Sequence, residues 1–444
     1  MADLPIIWRS DTESAAKYEE ARCRIFNIRR PEHFPRAIVK ATTLEHIVAA
    51  VKLAAEQGVR VVARSGGHGL SAWTLRHNAI LIDLQNFKHM SYDEEKNEAQ
   101  VSPSTLAEEL LDFLAERKRF FPAGHTGDIG LGGYLLQGGI GLSCRGYGYA
   151  CEYVTGVDVV TAEGDVVHAD ENENADLYWA ARGAGPEFPA IVTRFYLKTI
   201  PLQPVAKGCR YIWPAVMYDA IFSWIDKISA SLDEHVDPSV FGFMIPGINQ
   251  PGLMFSASVF AQTEEEARRK LAPLVETHPP GAMVAEDFVD SSITTVYAGS
   301  RQFNPPGCRY FTDSVFLKPG TDVVEACRHM FTQIPFPRGL AYWQPLRISP
   351  ARKQPDMALS IQSEHYVSLL AVYDNEAEDE AQTEWVIEGI RKLEPQIHGT
   401  FIADAHPEMR TSNYWSEEAT ARLAAVGSKW DPKGRITGIV VRQE

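Results

Sequence analysis

The sequence predicts an α+β chain of two domains, and three observations carry that prediction. At 444 residues the chain exceeds what one hydrophobic core ordinarily fills, so two domains, in series or interleaved, are expected. Through about residue 200, short apolar strands alternate with helical patterns and are interrupted by glycine clusters. After Pro201 the texture changes to longer strands, each followed by an acidic cap and a helix, which is the pattern of an antiparallel sheet covered by helices on one face. The second domain is accordingly placed at 201–400.

The elements follow in order. The stretch PRAIVKATTLEHIVAAVKLAAEQGVRVVARSGG reads as a strand, a helix capped near Thr42 and Thr43 and stopped at Gly58, and a second strand, a small β-α-β unit. AILIDLQNFKHMSYDEEKNEAQVSP alternates like paired strands around an acidic turn, and STLAEELLDFLAERK reads as an amphipathic helix with a capping-box start at Ser104. CEYVTGVDVVTAEGDVVHAD gives two strands joined at Glu163 and Gly164, and IVTRFYLKTIP a strand closed by Pro201. GLMFSASVFAQTEEEARRKLAPLVE and YVSLLAVYDNEAEDEAQTEWVIEGIRKLE share one strand–cap–helix plan and suggest two copies of a β-α unit. The tail NYWSEEATARLAAVGSKWDPKGRI is a helix ended by Asp431 and Pro432 that must dock on the body of the protein.

Composition narrows the function. With 43 basic against 58 acidic residues the net charge is −15, which repels nucleic acid and anionic membrane surfaces. The six cysteines are scattered with neither zinc nor disulfide spacing, no metal-ligand set is evident, and no stretch approaches the roughly 18 apolar residues of a membrane span. The start lacks a basic segment followed by an apolar one, so a soluble, cytoplasmic protein is expected. Hydrolase, zinc-protease and P-loop signatures are absent.

What remains is glycine. SGGHG at 65–69, PAGHTGDIGLGGYLLQGGIG at 122–141 and ARGAGPEF at 181–188 crowd glycines into one domain. Such runs bring backbone N–H groups close to a ligand and suit phosphate oxygens, though not in the G-x-G-x-x-G register of a dinucleotide fold. On the residues alone the loops read either as structural turns or as the cradle of a large phosphate-bearing cofactor. His68 and His125 read either as structural or as functional histidines.

Taken together, AIVKATTLEHIVAAVKLAAEQGVRVVARSGGH, ILIDL, VSPSTLAEEL, GLGGYLLQGGIG, RGYGYACEYVTGVDVVTAEGDVV and NADLYWAARGAG resemble the FAD-binding domain of the vanillyl-alcohol oxidase/p-cresol methylhydroxylase superfamily. More narrowly, they resemble the berberine-bridge-enzyme-like oxidoreductases. The resemblance implies a two-subdomain FAD-binding domain over 1–200 to which 401–444 returns, and FAD as cofactor. It assigns Arg64, Ser65, Gly66, Gly67, His68 and Gly69 to the first flavin loop, and His125, Thr126, Ile129, Gly130, Gly132, Gly133, Gly138, Gly139 and Val192 to the remaining cofactor contacts. It makes His68 the covalent 8α-histidyl anchor. Where many members carry a second, cysteinyl bond this chain has Thr126, so one covalent bond is expected. Ile129 falls at the position that gates dioxygen, where oxidases tend to have valine.

The resemblance further implies proton removal by Tyr414, with Trp415 at that position in an ungapped alignment, assisted by Tyr147. On the strand ALSIQSEHYVSLLAVYD, period two places Gln362, Glu364 and Tyr366 on one face and His365 on the other, and makes Glu364 and Tyr366 alternative bases. The expected activity is oxidation of a small alcohol, sugar, phenol, amine or secondary metabolite by hydride transfer to flavin N5, with dioxygen or another electron acceptor. The alternatives are a dehydrogenase, a flavoprotein driving cyclisation, and a silent flavin-binding protein.

Overall fold

The computed structural model describes residues 4–348 and 352–436. The first sheet has four strands in the order Ile6–Trp8, Ala37–Lys40, Ile80–Asp83, Val61–Arg64, the last three mutually parallel. The helix Leu44–Glu56 begins where Thr43 Oγ1 accepts the N–H of His46 at 3.3 Å, and the chain turns at Gly58 with φ +63°. The expectation of paired strands across 79–103 is corrected here. Ile80, Leu81 and Ile82 are fully buried, apolar toward both faces, and this run enters the parallel sheet as an inner strand, leaving Met90–Asp93 and Glu98–Val101 to form the hairpin.

The second sheet is antiparallel, in the order Met90–Asp93, Glu98–Val101, Ala190–Lys198, Val154–Thr161, Val166–Asp170. The helix Ala107–Ala115 packs Leu110, Leu111 and Leu114 into its core. That helix does not start at Ser104: Ser104 Oγ donates to the carbonyl of Leu84 at 2.6 Å, and Glu109 Oε2 instead accepts the N–H of Leu106 at 2.8 Å. The tail helix Glu417–Trp430, capped by Ser416, buries Leu423 and Val426 in this same core, each worth about 2 kcal/mol. Beyond it, Arg435 and Ile436 pair with Val61 of the first sheet.

The third sheet has eight strands, all antiparallel, in the order Val284–Asp290, Val205–Pro214, Pro251–Ala261, Val236–Met244, Leu340–Pro345, His365–Tyr373, Arg309–Leu317, Ile397–Gly399. Helices Tyr218–Ser229, Glu264–Thr277, Val323–Thr332 and Asp379–Arg391 cover one face. The two expected strand–helix units are there: Pro251–Ala261 leads into Glu264–Thr277, and His365–Tyr373 into Asp379–Arg391. One helix departs from the single-face expectation. Ile293–Phe303 lies on the opposite side, because its buried residue Tyr297 packs into the core of the second sheet and Phe303 stacks on Phe241 at 5.7 Å. No helix among the described residues is long and apolar enough to cross a membrane.

Candidate functional site

The uncovered face of the eight-stranded sheet and the glycine loops enclose a cavity of about 1030 Å³, large for a single small ligand and suited to a dinucleotide with room for a substrate. Its floor begins where the strand Val61–Arg64 ends. Arg64 does not offer its charge to the cavity: the buried guanidinium donates to Asp83 Oδ2 at 2.9 Å and to the carbonyl of Ala21 at 2.6 Å, so it ties the loop down. The next turn approaches the second glycine loop backbone to backbone. A Cβ on Gly66 would sit 2.6 Å from the amide nitrogen of Gly130, and one on Gly130 2.6 Å from that of Gly66. Gly67 has φ +74°, which only glycine adopts without strain.

This turn fits a diphosphate. None of the backbone N–H groups of residues 65–69 donates to a backbone carbonyl among the described residues, so five adjacent donors are left for acceptor oxygens. The expected contacts Ser65, Gly66, Gly67, His68, Gly69, His125, Thr126, Ile129, Gly130, Gly132, Gly133 and Val192 all line the cavity, as does Gly139. Gly138 does not: with φ +108° it turns against Leu359.

His68 stacks on Phe26 with ring centroids 4.0 Å apart. Its Nε2 is buried without a hydrogen bond, and Asp128 Oδ1, equally unpartnered, lies 3.5 Å away. The neighbouring imidazole holds the Asp128 carboxyl below the usual carboxylate range. Thr126, at the cysteine position, pairs its hydroxyl with that of Ser300 at 2.8 Å and so ties the loop to the helix Ile293–Phe303. His125 Nε2 stands 3.7 Å from Asp237 Oδ2 on the sheet above.

Opposite the loops, Tyr366 projects into the cavity and donates to Asp404 Oδ2 at 2.5 Å. Burial raises the Asp404 carboxyl above its ordinary value, against the opposing effect of that hydrogen bond, and pushes the Tyr366 phenol well up. Register sets Gln344 across from Tyr366, and Gln344 Nε2 donates to Asp237 Oδ1 at 3.2 Å, giving a polar band across the sheet. His365 points to the other face, where it accepts from Trp343 Nε1 at 3.2 Å.

The other expected bases are not brought to this place. Tyr414 lies in the core of the second sheet, its hydroxyl 3.4 Å from the carbonyl of Arg410, and burial raises its phenol, the opposite of what a base needs. Its neighbour Trp415 is also in that core and donates to the carbonyl of Gly183. Tyr147 is wedged between Phe120 and His235 and is likewise raised by burial. Glu364 precedes the strand and has a half-exposed side chain 3.5 Å from Arg347, and Gln362 is held by Gln354. None of these five lines the cavity. Sequence reasoning missed Asp404, Asp237 and Phe26; Asp128 carried a signal as the one charge in the glycine run 122–141.

Residues 35–170 match the family described as the FAD binding domain. The chain is 60% identical over 438 residues to FAD-linked oxidoreductase nodO of Hypoxylon pulicicidum, covering 99% of this chain and 98% of that protein. It is 50% identical over 442 residues to FAD-linked oxidoreductase janO of Penicillium janthinellum, again 99% and 98%. Among solved structures, BBE-like 1 of Physcomitrella patens superposes with a TM-score of 0.86 at 19% identity, over 100% of this chain and 98% of that one. 6-Hydroxy-D-nicotine oxidase of Arthrobacter nicotinovorans superposes with a TM-score of 0.84 at 20% identity, over 98% and 97%. The expected α+β fold, with its FAD-binding domain of the p-cresol methylhydroxylase type, is thereby borne out, and the chain belongs to the FAD-linked oxidoreductases.

Proposed function

We propose that the chain oxidises a small organic molecule with an FAD attached covalently through His68 alone, and that Asp404, held by Tyr366, removes the substrate proton. The observation that supports the attachment is His68 itself: an imidazole fixed by Phe26 at the cavity wall, with a buried and unpartnered Nε2 next to the Asp128 carboxylate. Asp128, 3.5 Å from that Nε2, orients the ring. The N–H groups of residues 65–69 and the touching backbones at Gly66 and Gly130 hold the diphosphate. FAD, when bound, supplies the two-electron oxidation.

Asp404 fits a base better than the tyrosines do. Tyr366 occupies its Oδ2, which leaves Oδ1 to take a proton from a substrate O–H or N–H, and burial has lifted the carboxyl toward the pH at which proton transfer is efficient. The substrate is drawn from alcohols, sugars, phenols, amines or secondary metabolites, and dioxygen is the favoured acceptor. A dehydrogenase is the second reading, supported by Ile129, which lines the cavity with a side chain one methylene larger than valine.

Acid precipitation tests the attachment. Flavin colour should stay with the polypeptide in the unmodified protein and leave it in His68→Ala; colour released from both would remove His68 as the anchor.

A further inference from the structure

A second cavity, of about 270 Å³, lies behind the His68 loop, between the N-terminal segment around 27–33 and the segment around 402–409. Trp73, Gln137 and Pro186 are walls of both cavities, so the two are neighbours, yet none of the groups assigned above to holding FAD or to proton transfer lines the second. In a chain of net charge −15, this recess gathers four guanidiniums, Arg29, Arg30, Arg76 and Arg309, against the carboxylates of Glu376, Asp379 and Glu408.

The acids are already engaged. Asp379 takes Arg309 at 2.6 Å and Arg29 at 3.4 Å, and Glu408 takes Arg76 at 2.7 Å. Glu376, largely exposed, reaches Arg309 only at 3.9 Å. Arg30 pairs with no carboxylate among the described residues: it donates once, to the carbonyl of Cys23 at 3.2 Å, and its Nε is buried without an acceptor. The Nε of Arg76 is buried in the same condition.

His406 completes the wall. Its ring stacks on Phe311 at 4.2 Å, and the guanidinium of Arg29 lies 4.8 Å from the centroid of that same phenylalanine. Burial, with Arg29 nearby, drives His406 down to about 3, so the ring is neutral, and its Nε2 is buried without a partner. An arginine has donors only, and Arg30, which lines the recess, gives one of them to a carbonyl and none to a carboxylate among the described residues, so its charge favours an anionic acceptor there. The planar fork of a guanidinium matches the oxygens of a carboxylate or a phosphate.

We propose that this recess is a binding site for a small oxyanion of the carboxylate or phosphate class, held by Arg30 together with Arg76 and His406 and adjoining the FAD cavity through Trp73. The volume restricts the ligand to a small molecule. Because the wall is shared, filling the recess perturbs the flavin absorption, which gives a readout independent of turnover.

The test titrates the holoenzyme with inorganic phosphate and, separately, with malonate, each against sodium chloride at matched ionic strength, following heat by calorimetry and the flavin difference spectrum. Saturable binding beyond the chloride control is expected for at least one anion, weakened at least tenfold in Arg30→Gln and partly restored in Arg30→Lys, with FAD content unchanged. Tighter binding of phosphate assigns the phosphate class, and tighter malonate the carboxylate class. Should Arg30→Gln fail to fold, Arg76→Gln reads the same loss. Absence of saturable binding by both anions, or equal affinity in the unmodified protein and the glutamine variant, overturns the proposal.

Discussion

Replacing Gly66 by alanine probes the contact that brings the two flavin loops together. The added methyl would stand 2.6 Å from the nitrogen and 2.9 Å from the Cα of Gly130, and both are backbone atoms, so no side chain can swing aside. Reaching an ordinary contact of 3.4 Å requires the loops to part by the difference, 0.8 Å. Overpacking of this kind costs about 1–3 kcal/mol, which as lost FAD affinity is roughly a 5- to 150-fold weakening. The assay is the ratio of flavin to protein absorbance after purification, with thermal unfolding alongside. Gly66→Ala should come out flavin-poor and less stable. Full flavin content and unchanged stability in Gly66→Ala would refute the reasoning.

Further outcomes are expected. Asp404→Asn should slow anaerobic flavin reduction by about 10²- to 10⁴-fold while FAD stays bound. In the unmodified protein the rate should fall as pH drops, with a midpoint above the ordinary carboxylate value of about 3.9, since burial raises this carboxyl and the active form is the carboxylate; an unchanged rate in the variant would move the base elsewhere. His365, lowered by burial to about 4, stays neutral in the folded chain while the unfolded chain takes up a proton below about 6.5. Stability is therefore full above that pH and falls by about 1.4 kcal/mol per unit between the two values, and His365→Gln should flatten chemical-denaturation curves over that window by this slope. If Ile129 narrows the dioxygen path, Ile129→Val should speed reoxidation of the reduced flavin in stopped-flow mixing without changing its reduction; equal reoxidation rates would place the barrier elsewhere.

Local rules made much of the fold legible. Thr43 and Gly58 bracket their helix because a cap and a left-handed stop act within one turn of chain, and the repeated strand–helix units declare themselves by period and acidic caps. The glycine loops stood out because Gly66 and Gly130 are demanded by a backbone contact that no other residue permits. Ser104 misled because its hydroxyl is taken by Leu84, a partner 20 residues away that no local pattern announces. Tyr414 misled for a related reason: an aromatic next to a helix cap reads the same whether it faces a cavity or a core, and here the second sheet claims it. Asp404 left no trace in the sequence. It sits in the short turn Ile402–Asp404, and its contact with Tyr366 arises only when the strand His365–Tyr373 brings that tyrosine against it from 38 residues away.

The attachment of FAD through His68 is tested most directly by mass. Trypsin cuts after Arg64 and Arg76 and after Arg119 and Arg145, so His68 falls on peptide 65–76 and Thr126 on peptide 120–145. The account predicts one flavin-modified peptide, 65–76, heavier by one flavin adduct and fluorescent, with 120–145 recovered at its unmodified mass. An unmodified 65–76 from a fully flavin-loaded protein, or a flavin carried on 120–145, would contradict it.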